Sequence, residues 1–234
     1  MKSKPLLDMV SLPVQNVAFQ LSSVSSFEMK NGSCHLLFRD RAARSQFYES
    51  TLVGNGIVVV PCSGSGSFPS SFKVLDVPVA NFNDLLAALE NFLEGRLSLK
   101  APLHTLVIDN ISIFHWDLRI VDRTNYKDLG FSAFQSSSSY YLKFADILNR
   151  IHLKYSCNIV VTSFDINFDK GYKGNWKKSA HDYEGLSSLT YLPESYLQKF
   201  QHLVYVDGGE LRVYKKPGNR WIEWREQEAQ LLVT

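Results

Sequence analysis

The sequence predicts an α/β fold: a mostly parallel central sheet flanked by helices, with an antiparallel C-terminal edge. Three observations lead to it. Ile57–Val60, Leu103–Asp109 and Asn158–Thr162 are apolar, β-branched runs, the pattern of strands buried on both faces of a parallel sheet. Between them apolar residues recur at helical spacing: Leu85, Leu86, Leu89 and Leu93, then Leu142, Ala145, Leu148, Ile151 and His152. The chain then closes on hairpin signals, with Leu203–Val206, the turn Asp207-Gly-Gly209, Leu211–Tyr214 and Arg220–Trp224, which make an antiparallel end to the sheet.

Taken in order, residues 1–33 are serine-rich and weakly periodic, with the turn Lys30-Asn-Gly-Ser33. They read as an extended lead-in with one or two short elements. We divide the chain into an N-terminal extension, 1–29, and a core, 30–234. Cys34–Phe38 is a short strand, Arg39–Gln46 a connection, and Phe47–Val53 a helix ended by Gly54-Asn-Gly56. After the strand Ile57–Val60, Pro61–Ser71 is a loop of Ser, Gly and Pro, and Phe72–Val79 offers another short strand. Asn81 or Asn83 caps a helix over Asp84–Gly95. Beyond the central strand, Trp116–Ser139 reads as a long irregular stretch, followed by the helix Tyr141–Tyr155. Phe164–Leu186 is a second long loop, rich in Gly, Lys and aromatics. Loops of this length inside a compact domain are functional or disordered.

Composition narrows the class. Hydrophobic residues make up 45% and charged residues 21% of 234 positions, ordinary for a soluble globular domain with a proper core. A formal net charge of +2 is too small to signal nucleic-acid binding, so any basic surface is local. Cys34, Cys62 and Cys157 lie in apolar runs, are widely spaced and odd in number, the pattern of reduced core residues in an intracellular protein. No stretch approaches the ~18–20 apolar residues of a membrane span, and Met1-Lys-Ser-Lys-Pro5 leads into no signal-peptide core.

Motif by motif, little catalytic chemistry is intact. Asp109, at the carboxyl end of its strand, stands where α/β sheets place ligands, and in folds with a phosphate-binding loop that acid holds Mg²⁺. A lone strand-end Asp serves equally well as a cap for the following turn. Ser63-Gly-Ser-Gly66 lacks the third glycine of a dinucleotide fingerprint, the Lys of a phosphate loop and the frame of a nucleophile elbow, and reads as a flexible turn. The histidines His35, His104, His115, His152, His181 and His202 show no paired metal spacing, and the cysteines form no CxxC. No metal or cofactor is expected.

The order of parts is informative as a series. A first strand runs from Phe38 into Ala43-Arg44-Ser45-Gln46. A second runs into Pro61-Cys62-Ser63, a third ends Leu106-Val-Ile-Asp109, and a fourth ends Thr162-Ser163-Phe164. Tyr191-Leu-Pro-Glu-Ser-Tyr196 and Leu203–Val206 follow. In this series the chain resembles the RecA-like P-loop NTPase core of recombinases, specifically the small, degenerate recombinase paralogues of Shu-type DNA-repair complexes. In that family the phosphate loop ends Gly-Lys-Thr-Gln, the second strand ends in a water-activating Glu, the Walker B strand in Asp, and the fourth in Thr-Asn-Gln. Here only the Walker B acid, Asp109, is retained. Glycines let backbone N–H groups close around phosphate, with Lys reaching between phosphates. Phe38 and Ala43 restrict that backbone, and Arg44 is forked and bulkier than Lys. The resemblance therefore implies a degenerate nucleotide site at Arg44, Ser45 and Asp109, with hydrolysis lost. On the same resemblance, an ion pair of Arg44 with Asp109 in place of the metal is the hypothesis to check.

The same resemblance assigns the two long loops to the DNA path. The first holds Arg119, Arg123 and Lys127 among Asp117, Asp122 and Asp128, a mixed set that suits a solvated surface equally well. The second holds Lys170, Lys173, Lys177 and Lys178 against the single Asp169, with Tyr172 and Trp176 interleaved. Lysines neutralise phosphates and exposed rings stack on unpaired bases. The implied protein is a nuclear, non-catalytic paralogue that binds DNA and promotes recombinase filament assembly in homologous-recombination repair. The implied partners are another recombinase paralogue, a SWIM-type zinc-finger protein and the main recombinase, with residues 1–29 docking onto a neighbouring subunit. The rival readings are a working ATPase using Arg44, Ser45 and Asp109, and a pure protein-interaction scaffold that never touches DNA.

Overall fold

A computed structural model describes residues 17–20, 26–29, 32–50, 56–62, 68–75, 77–96, 103–120, 136–165, 190–207, 210–215 and 222–224. In chain order the elements are β1 (Val17–Gln20), β2 (Ser26–Met29), β3 (Ser33–Phe38), α1 (Arg41–Ser50), β4 (Ile57–Pro61), β5 (Lys73–Val74), α2 (Phe82–Leu93) and β6 (Thr105–Asp109). They continue with a 3₁₀ turn (Ile111–Phe114), α3 (Ser137–Tyr155), β7 (Asn158–Phe164), α4 (Glu194–Leu197), β8 (His202–Asp207), β9 (Glu210–Lys215) and β10 (Ile222–Trp224). The 3₁₀ turn runs directly into a helical segment over 115–120.

Among the described residues, one sheet has the order β10-β9-β8-β3-β7-β6-β4-β5 and β1-β2 form a separate pair. From β8 across to β5 every neighbouring pair is parallel. β8-β9 and β9-β10 are antiparallel, so the expected mostly parallel sheet with an antiparallel C-terminal edge is what the chain forms. Alternation along the strands splits the core in two. Leu37, Val58, Val60, Leu106, Ile108, Ile159 and Val161 pack with Leu85, Leu89, Phe144 and Leu148 of α2 and α3. Leu36, Phe38, Val59, Val107, Val160 and Val204 pack on the other face with Ala43, Phe47 and Tyr48 of α1. Burial on both faces is why these strands read as unbroken apolar runs.

The α2 boundary follows from its cap. Asn81 Oδ1 accepts the Asp84 N–H at 3.0 Å, and Asp84 Oδ2 accepts the Asn81 N–H at 3.2 Å, a reciprocal box worth about 1 kcal/mol. Four sequence-based boundaries need correction. Helix α1 begins at Arg41 rather than Phe47, because Asp40 Oδ1 accepts the Ala43 N–H at 2.8 Å and starts the helix early. The start of the stretch read as irregular, 116–120, is helical and continues the 3₁₀ turn, with Ile111, Phe114 and Leu118 buried on the inner side of 111–120. The serine run opens α3 instead of ending a loop. Ser136 Oγ accepts the Ser139 N–H at 3.3 Å and Ser139 Oγ donates to the Ser136 carbonyl at 2.7 Å, so serines act here as caps. The strand expected over Phe72–Val79 is only Lys73–Val74 at the sheet edge. Among the described residues no helix is long and apolar enough to cross a membrane.

Candidate functional site

Strands β3, β4, β6 and β7 run parallel, so their carboxyl ends share one edge, where such sheets bind ligands. Only Arg39 and Asp40 separate β3 from α1. The first turn of α1 has its own anion, since Asp40 takes the Ala43 amide and complements the helix dipole. Arg39 Nη1 donates to both carboxylate oxygens of Asp207, each at 2.8 Å, and this hydrogen bonding holds the guanidinium above its ordinary pKa.

Asp109 lies beneath this edge, fully buried. Its Oδ1 accepts from Arg44 Nε at 2.9 Å, from the Tyr48 hydroxyl at 2.8 Å and from Thr162 Oγ1 at 3.1 Å. Its Oδ2 accepts from Arg44 Nη2 at 2.5 Å. Three hydrogen bonds therefore converge on Oδ1 and one on Oδ2, and all come from protein side chains. The Arg44 guanidinium carbon lies 5.1 Å from the Tyr48 ring centroid and 5.4 Å from that of Phe68, within cation–π range. Burial opposes the Arg44 charge, but hydrogen bonding and attraction to Asp109 outweigh it and raise the pKa. Burial, with the Asp109 charge adding to it, pushes the Tyr48 hydroxyl well above its usual pKa, so it stays a donor.

These residues do not fit a magnesium-bound nucleotide. A metal on Asp109 would have to displace Arg44, Tyr48 or Thr162 from a site that water does not reach. A two-residue connection supplies no backbone cradle for phosphate, and the amide closest to such a role already holds Asp40.

The adjoining end of β7 is tied down residue by residue. Thr162 Oγ1, besides donating to Asp109, accepts the Asn110 N–H at 2.9 Å. His35 Nε2 and Ser163 Oγ share a hydrogen bond of 2.8 Å, and His35 Nδ1 is 3.3 Å from the Tyr196 hydroxyl. The Phe164 N–H donates to Ser112 Oγ at 2.9 Å, the Asp165 N–H to the Phe38 carbonyl at 2.9 Å, and the Tyr205 hydroxyl to Asp165 Oδ2 at 3.1 Å. Burial pushes His35 down to a pKa of about 3, so the ring is neutral. Asn110 turns the chain with φ 63°, a left-handed conformation that Asn tolerates.

Of the residues anticipated from sequence, the structure brings Arg44 and Asp109 together as an ion pair. Ser45 lies on the exposed side of α1 and does not join the cluster. Arg119 is exposed on the 115–120 helix, its guanidinium carbon 5.9 Å from the Trp116 centroid and 5.7 Å from that of Tyr191. Arg123, Lys127, Lys170, Tyr172, Lys173, Trp176, Lys177 and Lys178 lie outside the described residues. Tyr48, Phe68 and the Thr162 contact to Asp109 were not anticipated. The Arg44–Tyr48 spacing, i to i+4, puts both on one helical face, but that signal exists only for a helix beginning before Arg44.

A protein-family model described as Shu complex component Psy3, DNA-binding description, matches residues 64–208. No curated protein matches the chain. Similar solved structures include a RadB recombinase, 9% identical with TM-score 0.45, covering 83% of this chain and 91% of that one. A DnaB-like replicative helicase, in a structure concerned with its interactions with primase, is 7% identical with TM-score 0.45, covering 83% of this chain and 54% of that one.

Proposed function

The chain belongs to the family of the Shu complex component Psy3, and from that premise we propose that it is a non-catalytic RecA-like paralogue that binds DNA within a multisubunit complex. It acts in the nucleus, in homologous-recombination repair, where it promotes assembly of the main recombinase filament. Its partners are a second recombinase paralogue and a SWIM-type zinc-finger protein. Residues 1–29 serve as the docking segment and 30–234 as the core. The observation that carries the non-catalytic reading is the closed Arg44–Asp109 pair, with Asp109 fully buried and Arg44 nearly so, at 12% side-chain exposure.

Binding of DNA falls to the two loops that follow β6 and β7. What supports this is the lysine and aromatic content of Asn167–Lys178, together with a loop root at β7 fastened by Thr162, Ser163 and Phe164. In this reading the loop needs no γ-phosphate to hold it, because protein side chains do so permanently. The test is to change Lys170, Lys173, Lys177 and Lys178 together to Ala. Affinity falls, and each lost phosphate contact lowers the log–log salt slope by about 0.7 on single strands or about 0.9 on duplex. Unchanged affinity and slope would exclude this loop as a DNA site, and no DNA binding by the unmodified chain would transfer the function to protein contacts alone.

A further inference from the structure

The helical segment after β6 opens the first of the two proposed DNA loops, and its exposed side carries a ring cluster that the reading above leaves unspecified. Its inner side is buried, while Trp116 is 47% exposed and Arg119 is exposed. The His115 and Tyr191 rings stack at 4.7 Å with 14° between planes, and Trp116 lies 6.1 Å from Tyr191 and 5.2 Å from His115. Arg119 reaches over both Trp116 and Tyr191. Beside the rings is a cavity of about 230 Å³ lined by His115, Leu118, Arg119, Ser137, Tyr141, Tyr191 and Pro193. His115 is only 6% exposed, and its buried Nε2 has no hydrogen-bond partner among the described residues. Burial, and to a lesser degree the Arg119 charge, lower its pKa to about 4, so at neutral pH the ring is an uncharged hydrogen-bonding group.

We propose that Trp116, Arg119 and Tyr191 form a platform for one unpaired base of a single nucleic-acid strand, with His115 at the wall of the adjoining cavity. The proposal rests on the DNA-binding reading and specifies, within the first of its two loops, which residues meet a base. A half-exposed indole offers a flat face to any base. A guanidinium already aligned on two rings loses little freedom in meeting the neighbouring phosphate. Asp117, also exposed, offsets the Arg119 charge, so stacking rather than net charge drives the contact.

The test uses the full chain with a fluorescein-labelled oligothymidine and an abasic strand of equal length. Trp116→Ala lowers affinity for oligothymidine by about 5- to 150-fold. Affinity for the abasic strand and the salt slope stay unchanged, and Trp116→Phe keeps most of the binding. Arg119→Ala lowers the slope by about 0.7. Wild-type affinity of Trp116→Ala for oligothymidine overturns the platform while leaving DNA binding intact, and equal weakening on both strands also overturns it. Absence of binding by the unmodified chain to either strand removes the DNA-binding reading and the platform with it. Unchanged DNA affinity with loss of the co-purifying partner subunits makes the patch a protein contact instead.

Discussion

Two arginines stand beside aromatic rings on the elements that leave the carboxyl edge of the sheet, and burial has given them opposite fates. Arg44 lies over Tyr48 and Phe68 with its charge spent on Asp109, and the carboxylate it meets is sealed from water. Arg119 lies over Trp116 and Tyr191 and stays at the surface. The same pairing of guanidinium and ring is thus a structural lock in one place and an open surface in the other. What separates them is whether an acid is buried within reach. A buried carboxylate must be neutralised or paired, and here Arg44 does this.

This difference is most easily broken at Arg44. Arg44→Ala leaves Asp109 buried and unpaired, and denaturant melts should show a loss of about 3–5 kcal/mol. Arg119→Ala on the surface should cost no more than about 0.5 kcal/mol. The double change Arg44→Met with Asp109→Leu should recover most of the loss, since replacing a whole buried ion pair by apolar side chains is often neutral or better. Equal stability of the two single arginine variants would end the distinction.

A pH series sharpens the same contrast inside the core. His35 binds a proton with an ordinary pKa when unfolded but only at about 3 when folded. Between those values the unfolded state holds more protons, so stability rises with pH and is fully present above the ordinary value of 6.5. Below it, stability falls by up to about 1.4 kcal/mol per pH unit. His35→Gln should flatten that slope in melts recorded between neutral pH and the acid limit, leaving the smaller share contributed by His115. Tyr48→Phe is a smaller probe of the lock itself. It deletes one of four hydrogen bonds to Asp109 and should cost about 1–2 kcal/mol, with no effect on DNA affinity.

The sheet was legible because its signal is simple. Residues such as Val59, Val107 and Val160 are buried on one face while Val58, Leu106 and Ile159 are buried on the other, which forces unbroken apolar runs. Asp109 and its arginine partner were also legible, because the resemblance to the recombinase core sets Ala43–Gln46 at the phosphate-loop position opposite the acid that ends β6. The start of α1 was not. Arg41, Arg44 and Gln46 are polar, and only Asp40 acting as a cap reveals that the helix begins before them. Missing that start hid Tyr48, whose place on the lock depends on its being one turn from Arg44. The Trp116 surface was hidden for a related reason. Its rings come together through tertiary packing of Tyr191, 75 residues downstream, and no local pattern records that.

If, as proposed, Arg44, Tyr48 and Thr162 occupy the place of a metal-bound nucleotide at Asp109, any DNA binding is independent of nucleotide. The direct measurement is the Kd for a single strand, by fluorescence anisotropy, with and without saturating magnesium-ATP. The predicted result is the same Kd in both conditions, for the unmodified chain and for Tyr48→Phe alike. A several-fold shift on adding magnesium-ATP, abolished by Asp109→Ala in a variant shown to be folded, would mean that Asp109 still serves a nucleotide.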